Sequence, residues 1–436
     1  MNQKYAVKAV ALSFSLILSG SAAWGKTLTV GKPNTPCQSP GYTTITDAIN
    51  AAANGDTIEV CPALYPEQLT IMKAITIRGI GQNGVGRVLI QPAGVGPDIS
   101  LSYASVIEIL YTQNVSLVNL TVDASANKIS GCSPLLSGIH FYDSSGTVDS
   151  VTTTGTSLSN QTSCTTLFPG NGFGIEIDQA STSTAVYNVE VRNSSISDFS
   201  RSGILATGAG ITVNIQNNWI AGTGPSTGVN QFGVFLANGA AGRVAGNTIT
   251  QGNCGSIAIP ACFNLRSEGV VLRSVGGGVV VENNVINNVQ AGVFINGANK
   301  AVVTGNSISN VDALNAIHIQ GSTSGLYENN RIFHVGPFTT DTAFDEEGCG
   351  INDVSGTSSM NNQIHSNSVA DAYCGVAYVT GDQFDGNSFV NTLYETLNGD
   401  NYPDTFPPPV EPGQTAPSSG AAAPQSVLKK VGKGGN

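Results

Sequence analysis

Charge is scarce in this 436-residue sequence, and positive charge is the scarcer part: 18 lysines and arginines stand against 29 acids, a net charge of −11. A chain with that balance lacks the basic stripe that nucleic acids and anionic membranes select, so neither is an expected partner. Beyond the first residues no apolar stretch reaches about 18 residues, the length a membrane helix needs, and no membrane span is expected. No Cys-x-x-Cys pair occurs, which argues against thiolate metal sites. No serine, cysteine or threonine sits in a nucleophile motif, and no glycine-rich phosphate loop leads from a strand into a helix. With only 11% of residues charged, long salt-laced helices are excluded as well. The residues that abound are glycine, serine, threonine and asparagine, a composition suited to many short strands joined by tight turns.

The chain divides into three parts. Lys4 and Lys8 precede an apolar run from Ala9 to Ala23, followed by small residues. That order is the one found in secretory signals, so residues 1–25 are expected to be a signal peptide and the protein secreted or periplasmic. Residues 26–397 carry the repeats described below. Residues 398–436 are rich in Pro, Ser and Ala and read as a disordered tail. Eight cysteines in an exported chain predict four disulfides. Their spacing suggests neighbouring pairs: Cys37–Cys61, Cys132–Cys164, Cys254–Cys262 and Cys349–Cys374.

Two motifs recur in step. One is a small residue followed by Ile or Val in a short alternating strand, as at Gly138, Gly174, Gly203, Gly233, Gly269, Gly292, Ala316, Gly350 and Gly375. The other is Asn-x-apolar, at Asn218, Asn247, Asn284, Asn306, Asn330, Asn367 and Asn387. The shortest periods are 23 to 25 residues, one coil of a parallel solenoid with three short strands. The fold class is therefore all-β, a parallel β-helix, with asparagine amides bonding from coil to coil. Cys349 and Cys374 each precede the glycine of a first motif one coil apart, so a disulfide can join them directly. Extra residues gather at one corner, within 152–173, 221–232, 250–268 and 333–349. Near the N-terminus Ile45, Ala48, Ile49 and Ala52 keep helical spacing after a Thr44/Asp47 capping box. This predicts a short helix covering the open end of the sheet, followed by a strand at Thr57–Val60.

The stretch with Tyr65, Glu67, Leu69, Ile71, Ile75, Ile77 and Gly79 resembles the opening coil of the pectin lyase-like superfamily. Ala63-Leu64 departs from the glycine that pectinesterase-like members place before the tyrosine. The resemblance implies a right-handed β-helix and a polysaccharide partner, since many members cleave, epimerise or de-esterify acidic glycans. The polygalacturonase and pectate lyase signatures are missing, so those particular activities are not implied.

Alternation sends the residue after the Ile or Val of each first motif outward. His140 and Tyr142 on one coil should then stand beside Glu176 and Asp178 on the next. A histidine with two carboxylates suits general acid–base work on a sugar, and paired acids are also a calcium site that bridges to an acidic glycan. A solvated polar face is the competing reading. Arg273, His318 and Gln320 are further outward candidates for substrate binding. Asp341, Asp345, Glu346 and Glu347 crowd the last insert as a candidate cation site, with calcium the one cofactor considered. Two functions remain open: a secreted protein that binds or processes a polysaccharide, or a non-catalytic surface or adhesion β-helix.

Overall fold

The computed structural model describes residues 25–33, 37, 39–81, 86–97, 103–129, 134–158, 172–224, 230–252, 267–312, 314–336, 348–353 and 359–398. The expected signal segment up to residue 24, the tail from 399 onward and most of the long inserts lie outside them. So do Cys132, Cys164, Cys254 and Cys262, and the acids Asp341, Asp345, Glu346 and Glu347.

Every ladder is parallel, and each coil supplies three strands to three faces of a solenoid. One coil runs Gly172–Asp178, Tyr187–Arg192 and Ser195–Ser197, and the next runs Ser202–Thr207, Ile211–Gln216 and Trp219–Ala221. The middle strands form a 13-stranded sheet from Thr27–Val30 to Gln383–Asp385. The first-motif strands make a second face and the Asn-x-apolar strands a third. Because side chains alternate, one set from each strand fills the interior. Ile139, Ile175, Ile204, Val234, Val270, Val293, Ile317 and Ile351 stack as a single buried column.

The motifs have physical reasons. A Cβ at Gly233 would lie 2.6 Å from the Gly269 carbonyl oxygen of the next coil, so glycine is favoured at this position. The asparagines form a continuous buried ladder. Asn218, Asn247, Asn284, Asn306 and Asn330 each donate an amide N–H to the side-chain oxygen of the next, at 2.9 to 3.0 Å. Asn367 continues it to Asn387. The second amide hydrogen goes back to a main-chain carbonyl of the preceding coil, Val244 in the case of Asn284. Each corner's polar groups are thus satisfied by its neighbours, as burial demands.

The N-terminal helix spans Ile45–Ala51, and Thr44 caps it by accepting from the Asp47 N–H. The first coil holds both ends. Glu67 accepts from the N–H groups of Ile45 and Thr46 at 3.0 and 2.8 Å. Lys73 donates to the carbonyls of Ile49, Asn50 and Ala52. A carboxylate at the start and an ammonium at the end suit the helix dipole. The Cys37–Cys61 bridge closes with Cα atoms 6.0 Å apart, and Cys349–Cys374 with 4.4 Å between paired strands.

One interior column changes character. Ile295 and Ile319 are followed in register by Asp353, fully buried. Its oxygens accept from Ser359 Oγ at 2.5 Å and Asn362 Nδ2 at 2.6 Å. Burial, with the nearby Asp382 carboxylate, pushes Asp353 up to about 8. Its folded pKa therefore exceeds the unfolded value near 3.9. The folded state holds the extra proton between those values, so stability falls as pH rises from about 4 to about 8.

Two outcomes are expected. Asn284→Ala strands the Val244 carbonyl and the Asn247 amide, and should lower unfolding free energy by about 2–5 kcal/mol, read from the urea midpoint. Asp353→Asn should flatten the loss of thermal stability between pH 5 and 8. An unchanged pH slope would show that Asp353 does not titrate there.

Candidate functional site

The first-motif face presents two outward rows whose contents follow from register. One row reads Thr70, Glu108, His140, Glu176, Leu205, Phe235, Val271, Phe294, His318 and Asn352. The other reads Leu110, Tyr142, Asp178, Thr207, Ala237, Arg273, Asn296 and Gln320. His140 does stand directly beside Glu176, and the long insert between their strands leaves the pairing intact.

These side chains are buried, contrary to the reading of a solvated face. His140 is 1%, Glu176 2% and Asp178 7% exposed, and Glu108 on the other side of His140 is 5% exposed. Imidazole Nε2 lies 2.7 Å from Asp178 Oδ1, and Tyr103 donates its hydroxyl to Asp178 Oδ2 at 3.2 Å. Ser137 Oγ donates to Glu176 Oε2 at 2.5 Å. One ligand atom from each of His140, Glu176 and Asp178 falls within 4.8 Å of the others. Burying ionisable groups costs free energy that a structural solenoid does not need to spend.

Four rings carry the cluster outward. Tyr103 packs against His140 with centroids 4.7 Å apart, Tyr142 lies 6.0 Å from His140, and Tyr111 meets Tyr142 edge-on at 5.6 Å. Burial, then the charges of Tyr111, Asp143, Asp178 and Tyr187, raises the Tyr142 phenol above its ordinary value. It stays protonated at neutral pH and can donate a hydrogen bond.

The other sequence candidates stand elsewhere. Arg273 is three coils from Asp178, with its guanidinium 5.8 Å from the Phe235 ring centroid. His318 is six coils from His140, stacked on Phe294 at 4.8 Å and bonded to Asn315. Gln320 accepts from Asn296. Phe232, Phe235, Val271 and Phe294 form a small second core with Leu205 packed against it. Arg201 lies over Phe232 at 4.6 Å, and burial pushes its guanidinium down to about 10. Sequence reasoning missed Glu108, Tyr103 and Ser137. The signal for Glu108 was present, since Ile107-Glu108-Ile109 repeats Ile175-Glu176-Ile177, but Val106 stands where the motif has glycine.

The long inserts all enter at the corner between the third face and this one, and the one before Gly172 adjoins the coils of the cluster. Residues 263–399 match the family described as "Right handed beta helix region". The fold is a right-handed parallel β-helix. No curated protein matches the sequence. Among solved structures, the chain is similar to a GH136 lacto-N-biosidase from Eubacterium ramulus, with 10% identity, a TM-score of 0.49, and coverage of 82% of this chain and 68% of that one. It is also similar to the A-module of a mannuronan C-5 epimerase from Azotobacter vinelandii, with 14% identity, a TM-score of 0.45, and coverage of 79% and 93%. A DFA-IIIase from Arthrobacter chlorophenolicus aligns over 84% of this chain and 86% of its own, with 14% identity and a TM-score of 0.44.

If Asp178 orients His140 through the 2.7 Å contact, Asp178→Asn should disturb the ring without unfolding the coil. Aromatic and histidine NMR shifts should move for Tyr103 and His140 while the melting temperature changes by only a few degrees. Unmoved shifts would show that the contact does not hold the imidazole.

Proposed function

We propose that this protein is an extracytoplasmic enzyme that processes a glycan on the first-motif face, with His140, Glu176 and Asp178 as its catalytic residues. One observation supports this above others: three ionisable side chains, each more than nine-tenths buried, converge on the outward side of a solenoid whose interior has no use for them. Asp178 holds the imidazole, His140 exchanges a proton with the sugar, and Glu176 supplies the second acid–base group. Lyase, epimerase and hydrolase chemistry all need such a pair. An oxygen of Glu176 and one of Asp178 lie within 4.8 Å of each other. Two disulfides fit an oxidising compartment, and no helix among the described residues is long and apolar enough to cross a membrane.

The same three ligand atoms favour a second reading, a divalent cation held by His140, Glu176 and Asp178. A mixed nitrogen and oxygen set suits a transition ion better than calcium, which takes six to eight oxygens. A bound cation would polarise a sugar oxygen and bridge to an acidic glycan. Calcium at Asp341, Asp345, Glu346 and Glu347 remains a separate proposal.

The test offers a panel of neutral and acidic polysaccharides, with calcium, with zinc and with a chelator, and scores chain cleavage and retention together. Cleavage should fall by about 10²-fold or more in the Glu176→Gln, Asp178→Asn double variant. Loss of cleavage in chelator alone would select the cation reading. Retention without any cleavage by the unaltered protein would overturn the enzyme and leave a binding or adhesion β-helix.

A further inference from the structure

Tyr111 is costly where it stands. It is 61% exposed, so its ring contributes little apolar burial, and its backbone sits in the left-handed region at φ 50. Bulky residues seldom occupy that region. The turn that ends each first-motif strand recurs coil after coil, each N–H donating to the strand end of the next coil. Gln179 at this position avoids positive φ, while other coils place Asp143, Gly208, Asn238, Ser274 and Gly297 there, all with positive φ. Those residue types accept the conformation at little cost. Among the described residues Tyr111 is the one tyrosine with positive φ. Strain of this kind persists where the surrounding structure over-determines it, and it clusters at active sites and ligand clamps.

Its surroundings say what the function is. The Tyr111 ring meets Tyr142 edge-on at 5.6 Å, and Tyr142 lies 6.0 Å from the His140 ring. The exposed ring and the buried acid–base cluster are thus two ring contacts apart. An exposed aromatic face binds the C–H face of a pyranose, because the ring is apolar and its π-system is electron-rich.

Charge selects among sugars. In the two outward rows from Thr70 and Leu110 up to Leu205 and Thr207, Glu108, Glu176 and Asp178 are acidic. Asp143 follows Tyr142. No lysine or arginine occurs in those rows before Arg273, two coils beyond Thr207. A uronate stacked on Tyr111 would add further negative charge to this acidic stretch.

We infer that Tyr111, backed by Tyr142, is a stacking subsite for an uncharged sugar ring, seating a neutral glycan beside His140. The inference rests on the proposed glycan-processing site and specifies its substrate class. It predicts a separation of binding from chemistry. Tyr111 contributes affinity, whereas His140 contributes turnover.

The experiment is affinity electrophoresis through gels containing xyloglucan, laminarin or dextran as neutral probes and polygalacturonate or alginate as acidic ones, all with chelator. The unaltered protein should be retarded by at least one neutral glycan and by neither acidic one. Tyr111→Gly should reduce the retardation at least fivefold. Because glycine relieves the positive φ, its melting temperature should hold or rise, which separates lost binding from lost folding. Tyr111→Trp, which keeps an aromatic face, should restore retardation. Glu176→Gln should be retarded like the unaltered protein. Equal retardation of Tyr111→Gly and the unaltered protein would overturn the subsite, as would retardation by acidic glycans alone or by none. Tyr111-dependent retardation without cleavage of any probe would keep the subsite and remove the catalytic reading.

Discussion

The constraint on which this molecule depends is the coil-to-coil register of parallel strands. Stacked strands lie about 4.8 Å apart, so a residue at one position of a coil touches the residue at the same position of the next. Identical chemistry then becomes self-supporting. A column of Ile and Val fills the interior, and a ladder from Asn218 to Asn387 satisfies the buried turns. The glycine row of the first motif is the third consequence, because the carbonyl of the next coil occupies the space a Cβ would need. A one-residue slip would turn every strand inside out, which is why the pattern tolerates inserts only at corners.

The same rule that stabilises repeats makes departures from repetition conspicuous. His140 lies between Glu108 and Glu176 because each is the outward residue of its own coil. Nothing more elaborate than stacking brings them together. The solenoid carries the cost of those buried charges on a continuous core extending on either side, with Ser137 and Tyr103 satisfying carboxylate oxygens. Tyr111 departs from its row in residue type, a bulky ring at a positive-φ turn where other coils use Asp, Asn, Ser or Gly. Both departures fall within two coils of each other on the first-motif face. Asp353 is a departure of a different kind, a carboxyl in an aliphatic column near the C-terminal end, tied to Ser359 and Asn362.

Much of this was legible in the sequence because a solenoid converts sequence period into spatial contact. The coil length, the asparagine ladder, the capped helix at Ile45–Ala51 and the Cys349–Cys374 pairing all follow from spacing. So does the pairing of His140 with Glu176, since Gly138 and Gly174 mark equivalent positions. Glu108 escaped because Val106 replaces the marker glycine, although the Ile-Glu-Ile alternation was there. Burial of the cluster could not be read from alternation, which distinguishes inside from outside but not covered from bare. The conformation of Tyr111 was hidden for a similar reason. Positive φ is announced by Gly, Asn or Asp, and a tyrosine announces nothing. Counting motifs also put Arg273, His318 and Gln320 several coils further along the same face, where the register has them.

The central claim is that register assembles a glycan site around His140 with Tyr111 at its mouth. The most direct measurement is a structure of the Glu176→Gln protein bound to an oligosaccharide of whichever neutral glycan retards it. The account predicts one sugar ring against Tyr111 and the adjoining glycosidic or ring oxygen within hydrogen-bond reach of His140. A sugar bound along the 13-stranded sheet, or on the first-motif face near His318 and away from His140, would contradict it.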